Sequence, residues 1–159
     1  MCAAPLKLPG FDPADAPVRR GSDYPSPFRE RVAGRVKRRL GDAAGLTQFG
    51  VNLVTLPPGC ESSMRHWHAR EDEFVYVLEG ELVLITDAGE QVLAAGMAAG
   101  FPAGWRDGHQ LVNRSDRGAT YLEVGTRTSG DAVDYSDIDM LVRIIDGVER
   151  YVRKDGTPY

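Results

Sequence analysis

Between residues 46 and 126 the chain breaks into short runs of β-branched, aromatic and aliphatic residues, each closed by turn formers. LTQFGVNLVTL ends at Pro57-Pro58-Gly59, a breaker by composition. EFVYVLEGELVLITD follows, rich in side chains that suit a pleated surface, and is expected to fold as a hairpin turning at Glu79-Gly80-Glu81. Asp87-Ala88-Gly89 marks the next turn and EQVLAA the next strand. Gly96, Gly100, Pro102 and Gly104 punctuate what comes after, and HQLVN and ATYLEVGTR read as two more strands. Runs of about 5–8 residues recurring roughly every ten, with little helical periodicity between them, predict an antiparallel β-sandwich or barrel.

The flanks read differently. Residues 1–27 are rich in proline and small residues and are expected to form an extended arm on the body or on a partner subunit. In residues 28–40 helix and strand patterns compete. Gly34 weakens a helix, and the alternation around Arg35, Val36 and Lys37 favours a solvated strand. The basic run from Arg35 to Arg39 is expected to serve as a charged edge or a subunit contact. Past residue 126, MLVRIID and RYVRK are two short candidate strands. The expected layout is an arm and edge strand over 1–45, a barrel over 46–126, and a tail over 127–159 packing on the barrel.

Composition closes off several alternatives. At 159 residues the chain holds one domain's worth of sequence. Nineteen Lys+Arg against 23 Asp+Glu leave a net charge of −4, which argues against nucleic acid as a partner. No apolar run approaches the ~20 residues that cross a bilayer, and the N-terminus lacks the apolar stretch of a signal peptide. A cytoplasmic location without membrane attachment is therefore expected. Cys2 and Cys60 are too few for a disulfide framework, and Cys60 is expected to pack as a small apolar residue.

The chain has three histidines, all placed on the β framework. His66 and His68 flank Trp67, and residues two apart on a strand face the same side. Glu73 opens the following strand and His109 begins a strand some forty residues on, so both can return to one point. Three imidazoles and a carboxylate suit one divalent transition metal: Fe, Mn, Ni, Co or Zn. Four protein ligands leave open positions for a substrate or O2. Arg65 and Trp67 have the opposite parity and are expected to pack against the arm or a partner. Glu71 and Asp72 are expected to be solvated loop charges, with a supporting partner to a ligating histidine as the alternative. Val75 and Val77 share the parity of Glu73 and should form an apolar wall, while Phe74, Tyr76 and Leu78 should fill an inter-sheet core. Arg106, in the loop before His109, reads first as a solvated surface charge beside Asp107, and as the alternative it is a candidate to hold a carboxylate or phosphate. Tyr121 and Glu123, sharing parity on a late strand, are further pocket candidates.

These residues resemble the two motifs of the cupin superfamily. The first runs through Gly59, His66, His68, Glu73 and Gly80, and the second through Gly96, Pro102, Gly104, His109 and Asn113. The likeness covers about residues 46–126. The spacers from Gly59 to His66 and from Gly104 to His109 are longer than the usual pattern, by one and two residues, and both insertions fall in turns. The whole chain is similar to single-domain bacterial cupins loosely labelled sugar-phosphate isomerase-like. The resemblance implies an all-β double-stranded β-helix (jelly-roll) barrel, metal held by His66, His68, Glu73 and His109, and often a homodimer. It does not carry a substrate.

Two kinds of function follow as expectations. One is a metal-dependent enzyme, a dioxygenase or an isomerase or lyase, acting on a small polar molecule such as a sugar derivative or organic acid. With no histidine left over as a base, metal-centred oxygenase chemistry has a slight lead. The alternative is a barrel that binds a small sugar-like ligand without turning it over. Exposed strand edges and the arm favour a homodimer in either case.

Overall fold

The computed structural model describes residues 9–159; Cys2 and the first eight residues of the expected arm lie outside the described residues. The described residues hold thirteen strands. They are β1 (Val18–Arg20), β2 (Val36–Arg39), β3 (Phe49–Leu56), β4 (His66–His68), β5 (Glu73–Glu79), β6 (Glu81–Thr86) and β7 (Gly89–Ala94). There follow β8 (Ala98–Phe101), β9 (Gln110–Val112), β10 (Ala119–Thr126), β11 (Val133–Tyr135), β12 (Leu141–Ile145) and β13 (Val148–Val152). Two short helices, α1 (Phe28–Arg31) and α2 (Leu40–Ala43), bracket β2. Residues 28–40 thus hold both patterns that compete in the sequence, divided at Gly34.

One sheet has the order β1-β2-β3-β10-β5-β8. The other face consists of β7-β6-β9 and β13-β12-β11-β4, linked where His66 and His109 bridge. This is the all-β jelly roll that the strand spacing and the motif resemblance imply. Val54, Leu56, Val75, Val77, Leu82, Leu84, Leu93 and Leu111 fill the space between the layers, with Cys60 among them as expected. A second core of Tyr24, Val32, Met64, Val133, Tyr135 and Met140 joins the arm to the tail.

The expected hairpin at Glu79-Gly80-Glu81 does not form. β5 pairs with β10 and β8, whereas β6 pairs with β7 and β9, so Gly80 carries the chain from one layer to the other. Gly80 has φ 76°, and a Cβ there would meet Ala119 and the Gly118 carbonyl at 3.0 Å. Left-handed backbone with a side chain costs about 1–2 kcal/mol. Gly80→Ala should therefore lower unfolding free energy by at least about 1 kcal/mol in urea titration. No change would show that the corner relaxes freely.

Phe74, Tyr76 and Leu78 do not fill an inter-sheet core. They lie on the outer face of the larger sheet and are 40–48% exposed. Glu73, Val75 and Val77 take the inward positions, so the period of two forces the intervening residues out. Arg35 and Lys37 also depart from expectation. β2 is flanked by β1 and β3 and is no edge, and Arg35 is buried. The tail does more than lie on the barrel surface: β11 pairs with β4, with Val133 opposite His68 and Tyr135 opposite His66.

Candidate metal centre

His66 and His109 exchange both backbone hydrogen bonds, at 3.1 and 2.8 Å. Residues paired this way across antiparallel strands project to the same face. His68, two residues along β4, joins them. Glu73 comes from the opposite layer, at the start of β5, between Phe101 on β8 and Gly125 on β10. Its Oε2 lies 2.8 Å from His109 Nε2, 3.5 Å from His68 Nε2 and 3.7 Å from His66 Nε2. The candidate ligand atoms of His66, His68 and Glu73 all fall within 4.8 Å of one another. All four residues singled out from spacing therefore meet at one point.

The surroundings fix which ring nitrogen faces that point. His66 Nδ1 donates to the Met64 carbonyl at 2.8 Å, and His68 Nδ1 to Asp131 Oδ2 at 2.6 Å. Each bond leaves Nε2 as the inward atom, the arrangement in which an outer partner orients a ligating imidazole. His109 is held differently, its ring stacked on Phe101 at 3.6 Å and 4°. Burial drives His66 down to about 4 despite the pull of Glu73, so it is neutral at neutral pH. For His68, burial opposes the charge, but Glu73 and Asp131 outweigh it and raise the imidazole above its ordinary value. Burial also resists ionisation of Glu73, yet the bond from His109 and the three neighbouring rings hold it well below the usual carboxylate range.

The donor set fits a divalent transition metal on physical grounds. With Nδ1 protonated and bonded outward, the neutral His66 ring aims a lone pair at an ionised carboxylate oxygen. Two electron-rich atoms facing each other in a buried site repel, and a cation between them turns that repulsion into attraction.

The cluster stands between two cavities. One, of about 390 Å³, is largely apolar and includes Trp67, Leu84, Phe101 and Trp105. The other, of about 450 Å³, is polar and includes Arg35, Lys37, Tyr121 and Glu123. His68, Glu71, Glu73, Phe101 and His109 border both. Tyr121 and Glu123 thus face the interior, as their parity allows. Glu123 is engaged there by Lys37 at 2.6 Å and by Asn52 at 3.0 Å.

Several other expectations need correction. Arg106 borders neither cavity: its guanidinium sits 5.5 Å from the Trp67 ring, along an outer cleft. The stacking surface of Trp67 draws it outward. Trp67 itself borders the apolar cavity. Arg65 pairs with Asp87 at 2.7 Å and Asp137 at 3.6 Å, tying loops of the body together. Asp72 is an exposed loop charge as expected, but Glu71 is partly buried. Asp72 accepts from the Ala103 N–H at 2.7 Å. Glu71 accepts from the Thr128 N–H at 2.6 Å and, with His68 and Asp131, forms a second group whose ligand atoms lie within 4.8 Å. Burial pushes its carboxyl up. Asp131 escapes sequence reasoning, because 63 residues separate it from His68.

The Cupin domain family profile matches residues 52–125. A sugar phosphate isomerase from a cupin superfamily, from Silicibacter pomeroyi, is 50% identical, covers 95% of this chain and 96% of that chain, and superposes with a TM-score of 0.91. A protein from Acidithiobacillus ferrooxidans, provisionally named a sugar phosphate isomerase, is 32% identical over 79% of this chain and 80% of that chain, with a TM-score of 0.72. The polyketide cyclase RemF from Streptomyces resistomycificus shares the fold at 21% identity, 76% and 80% coverage and a TM-score of 0.57. No curated protein matches the chain. Among the described residues, no helix is long and apolar enough to cross a membrane.

Proposed function

Since the chain belongs to the cupin superfamily, we propose that it is a metal-dependent enzyme acting on a small polar organic molecule, a sugar derivative or an organic acid. His66, His68, Glu73 and His109 would hold one divalent transition metal. A single observation supports this most: two imidazoles are locked by Met64 and Asp131 with Nε2 turned toward the Glu73 carboxylate. A bound ion of this kind supplies Lewis acidity toward a hydroxyl or carbonyl oxygen.

The residues around the cluster favour proton transfer, the chemistry of an isomerase or lyase, over oxygenation. The lack of a spare histidine matters less once Glu71 is seen to border both cavities beside His68. A carboxylate there can accept and return a substrate proton. Phe101 and Leu84 give one side of the cluster an apolar lining. The similarity to a protein named sugar phosphate isomerase is consistent with this class of reaction. The test is to load the protein with Mn(II) or Fe(II) and follow solvent deuterium entering a panel of sugar acids, hydroxy acids and ketoses. Glu71→Gln should reduce exchange at least about tenfold with metal content unchanged. O2 uptake over diketones, phenols and sugar acids, without exchange, would move the assignment to an oxygenase. Metal binding with neither would leave a small-molecule binding barrel.

The outer face of the larger sheet supports a homodimer. Tyr76 and Phe74 stand beside Leu122 and Val124 on β10, with Leu78 next along β5. An exposed apolar row of this size is the usual mark of an interface. The protein should elute at twice its 17.4 kDa, and Tyr76→Lys should shift it toward monomer. Elution of the parent protein at the monomer mass would contradict this.

A further inference from the structure

The polar cavity contains donors that the protein itself does not use. Arg35 is 7% exposed; its Nη1 donates to the Ser62 carbonyl and its Nη2 to the Gly21 carbonyl at 2.7 Å. Its Nε is buried with no partner. Among the described residues it thus bonds to two carbonyls and to no carboxylate. Lys37, by contrast, is neutralised by Glu123 at 2.6 Å. Tyr121 is 1% exposed, and its hydroxyl is likewise buried with no hydrogen-bond partner among the described residues. Sheet register puts these groups together. Tyr121 on β10 pairs with Val54 on β3, which pairs with Lys37 on β2, and Arg35 precedes Lys37 by two with the same inward parity.

A buried guanidinium without a counter-ion is costly, and so is a buried hydroxyl without an acceptor. Such groups persist where a ligand supplies the missing partner. Two unpaired donors and one uncompensated positive charge call for two acceptor oxygens and one negative charge. A carboxylate meets that count. The charged side chains bordering the cavity are five carboxylates (Glu71, Glu73, Glu123, Asp131, Glu149) and three cations (Arg19, Arg35, Lys37), so the second negative charge of a phosphate dianion adds to an excess of acid.

The geometry points to Arg35 and Tyr121 as a carboxylate-recognition subsite, which makes the ligand of the polar cavity a small hydroxy or oxo acid and not a phosphate ester. Its role as substrate rests on the metal-centre reading above; the subsite itself does not.

The experiment is calorimetric titration of Mn(II)-loaded protein with 2-hydroxy and 2-oxo carboxylates of three to six carbons, their primary amides, inorganic phosphate and a hexose 6-phosphate. Carboxylates should bind about tenfold or more tighter than the matching amides, as expected for a charge-assisted bond. Tyr121→Phe removes only the hydroxyl and should weaken carboxylate binding about fivefold or more with full metal content. Arg35→Lys should weaken it further. Arg35 also braces two loops, so Tyr121→Phe keeps the test decisive if that variant fails to fold. Amides or either phosphate binding as tightly as carboxylates would overturn the subsite, as would unchanged binding by Tyr121→Phe. Preference for carboxylate over amide in protein that takes up no Mn(II) would support the subsite and overturn the metal-centre reading alone.

Discussion

Stripping the divalent metal with a chelator should lower the melting temperature by about 5–11 °C. Metal at a hundredfold excess over its dissociation constant stabilises the fold by about 2.7 kcal/mol. Each kcal/mol shifts the melting point of a chain this size by about 2–4 °C. The shift arises because the cluster joins elements from both layers: β4 and the start of β9 on one side, β5 on the other. Re-addition of Mn(II) or Zn(II) should restore it. Glu73→Ala should abolish both metal uptake and the response to chelator, since among the described residues it removes the only carboxylate oxygen shared by the three rings. Differential scanning calorimetry with elemental analysis checks both outcomes. A parent protein that holds no metal, with a melting point indifferent to chelator, would remove the basis for a metal centre.

Asp131→Ala should weaken metal affinity about 10–100-fold, the usual effect of losing the group that orients a ligating histidine. The Asp131 carboxylate accepts from His68 Nδ1 at 2.6 Å through one oxygen and from the Arg70 N–H at 2.8 Å through the other. It therefore fixes both the ring and the strand end that carries it. Asp131→Asn retains an acceptor oxygen but not the charge, and should fall between the two. A competition titration distinguishes orientation from bulk stability. If Asp131 only braces the fold, the melting points of metal-free and metal-loaded protein fall together and the dissociation constant stays put.

The candidate cluster is legible in the sequence because metal chemistry would demand particular residue types at a strand's own period. His66 and His68 sit two apart, Glu73 opens the next strand, and His109 pairs back onto His66. The spacing that revealed many short strands did not reveal which of them pair. A glycine turn between two strands looks the same whether it closes a hairpin or, like Gly80, passes from one layer to the other. Parity placed Val75 and Val77 inside and Phe74, Tyr76 and Leu78 on the far side. Apolar character alone could not tell whether that side meets protein or solvent. The remaining misreadings and omissions share one cause. Arg35, Glu71, Arg106 and Asp131 take their roles from partners distant in the chain, and no local pattern encodes such a meeting. Arg35 reads as one member of a basic run, yet the arm and β3 on either side of β2 turn it into an interior group.

The pairing of β11 with β4 has a consequence for the order of events in the cell. His66 to His109 leave the ribosome well before Asp131 and β11, so for a time the emerging chain holds its candidate ligands without the strand that backs them or the carboxylate that steadies His68. A nascent polypeptide halted short of residue 131 would present loosely held histidines to any passing ion. If the cluster holds an ion, stable occupancy would mark that synthesis has run past that point, and ion selection would be deferred until the β4–β11 pair has closed.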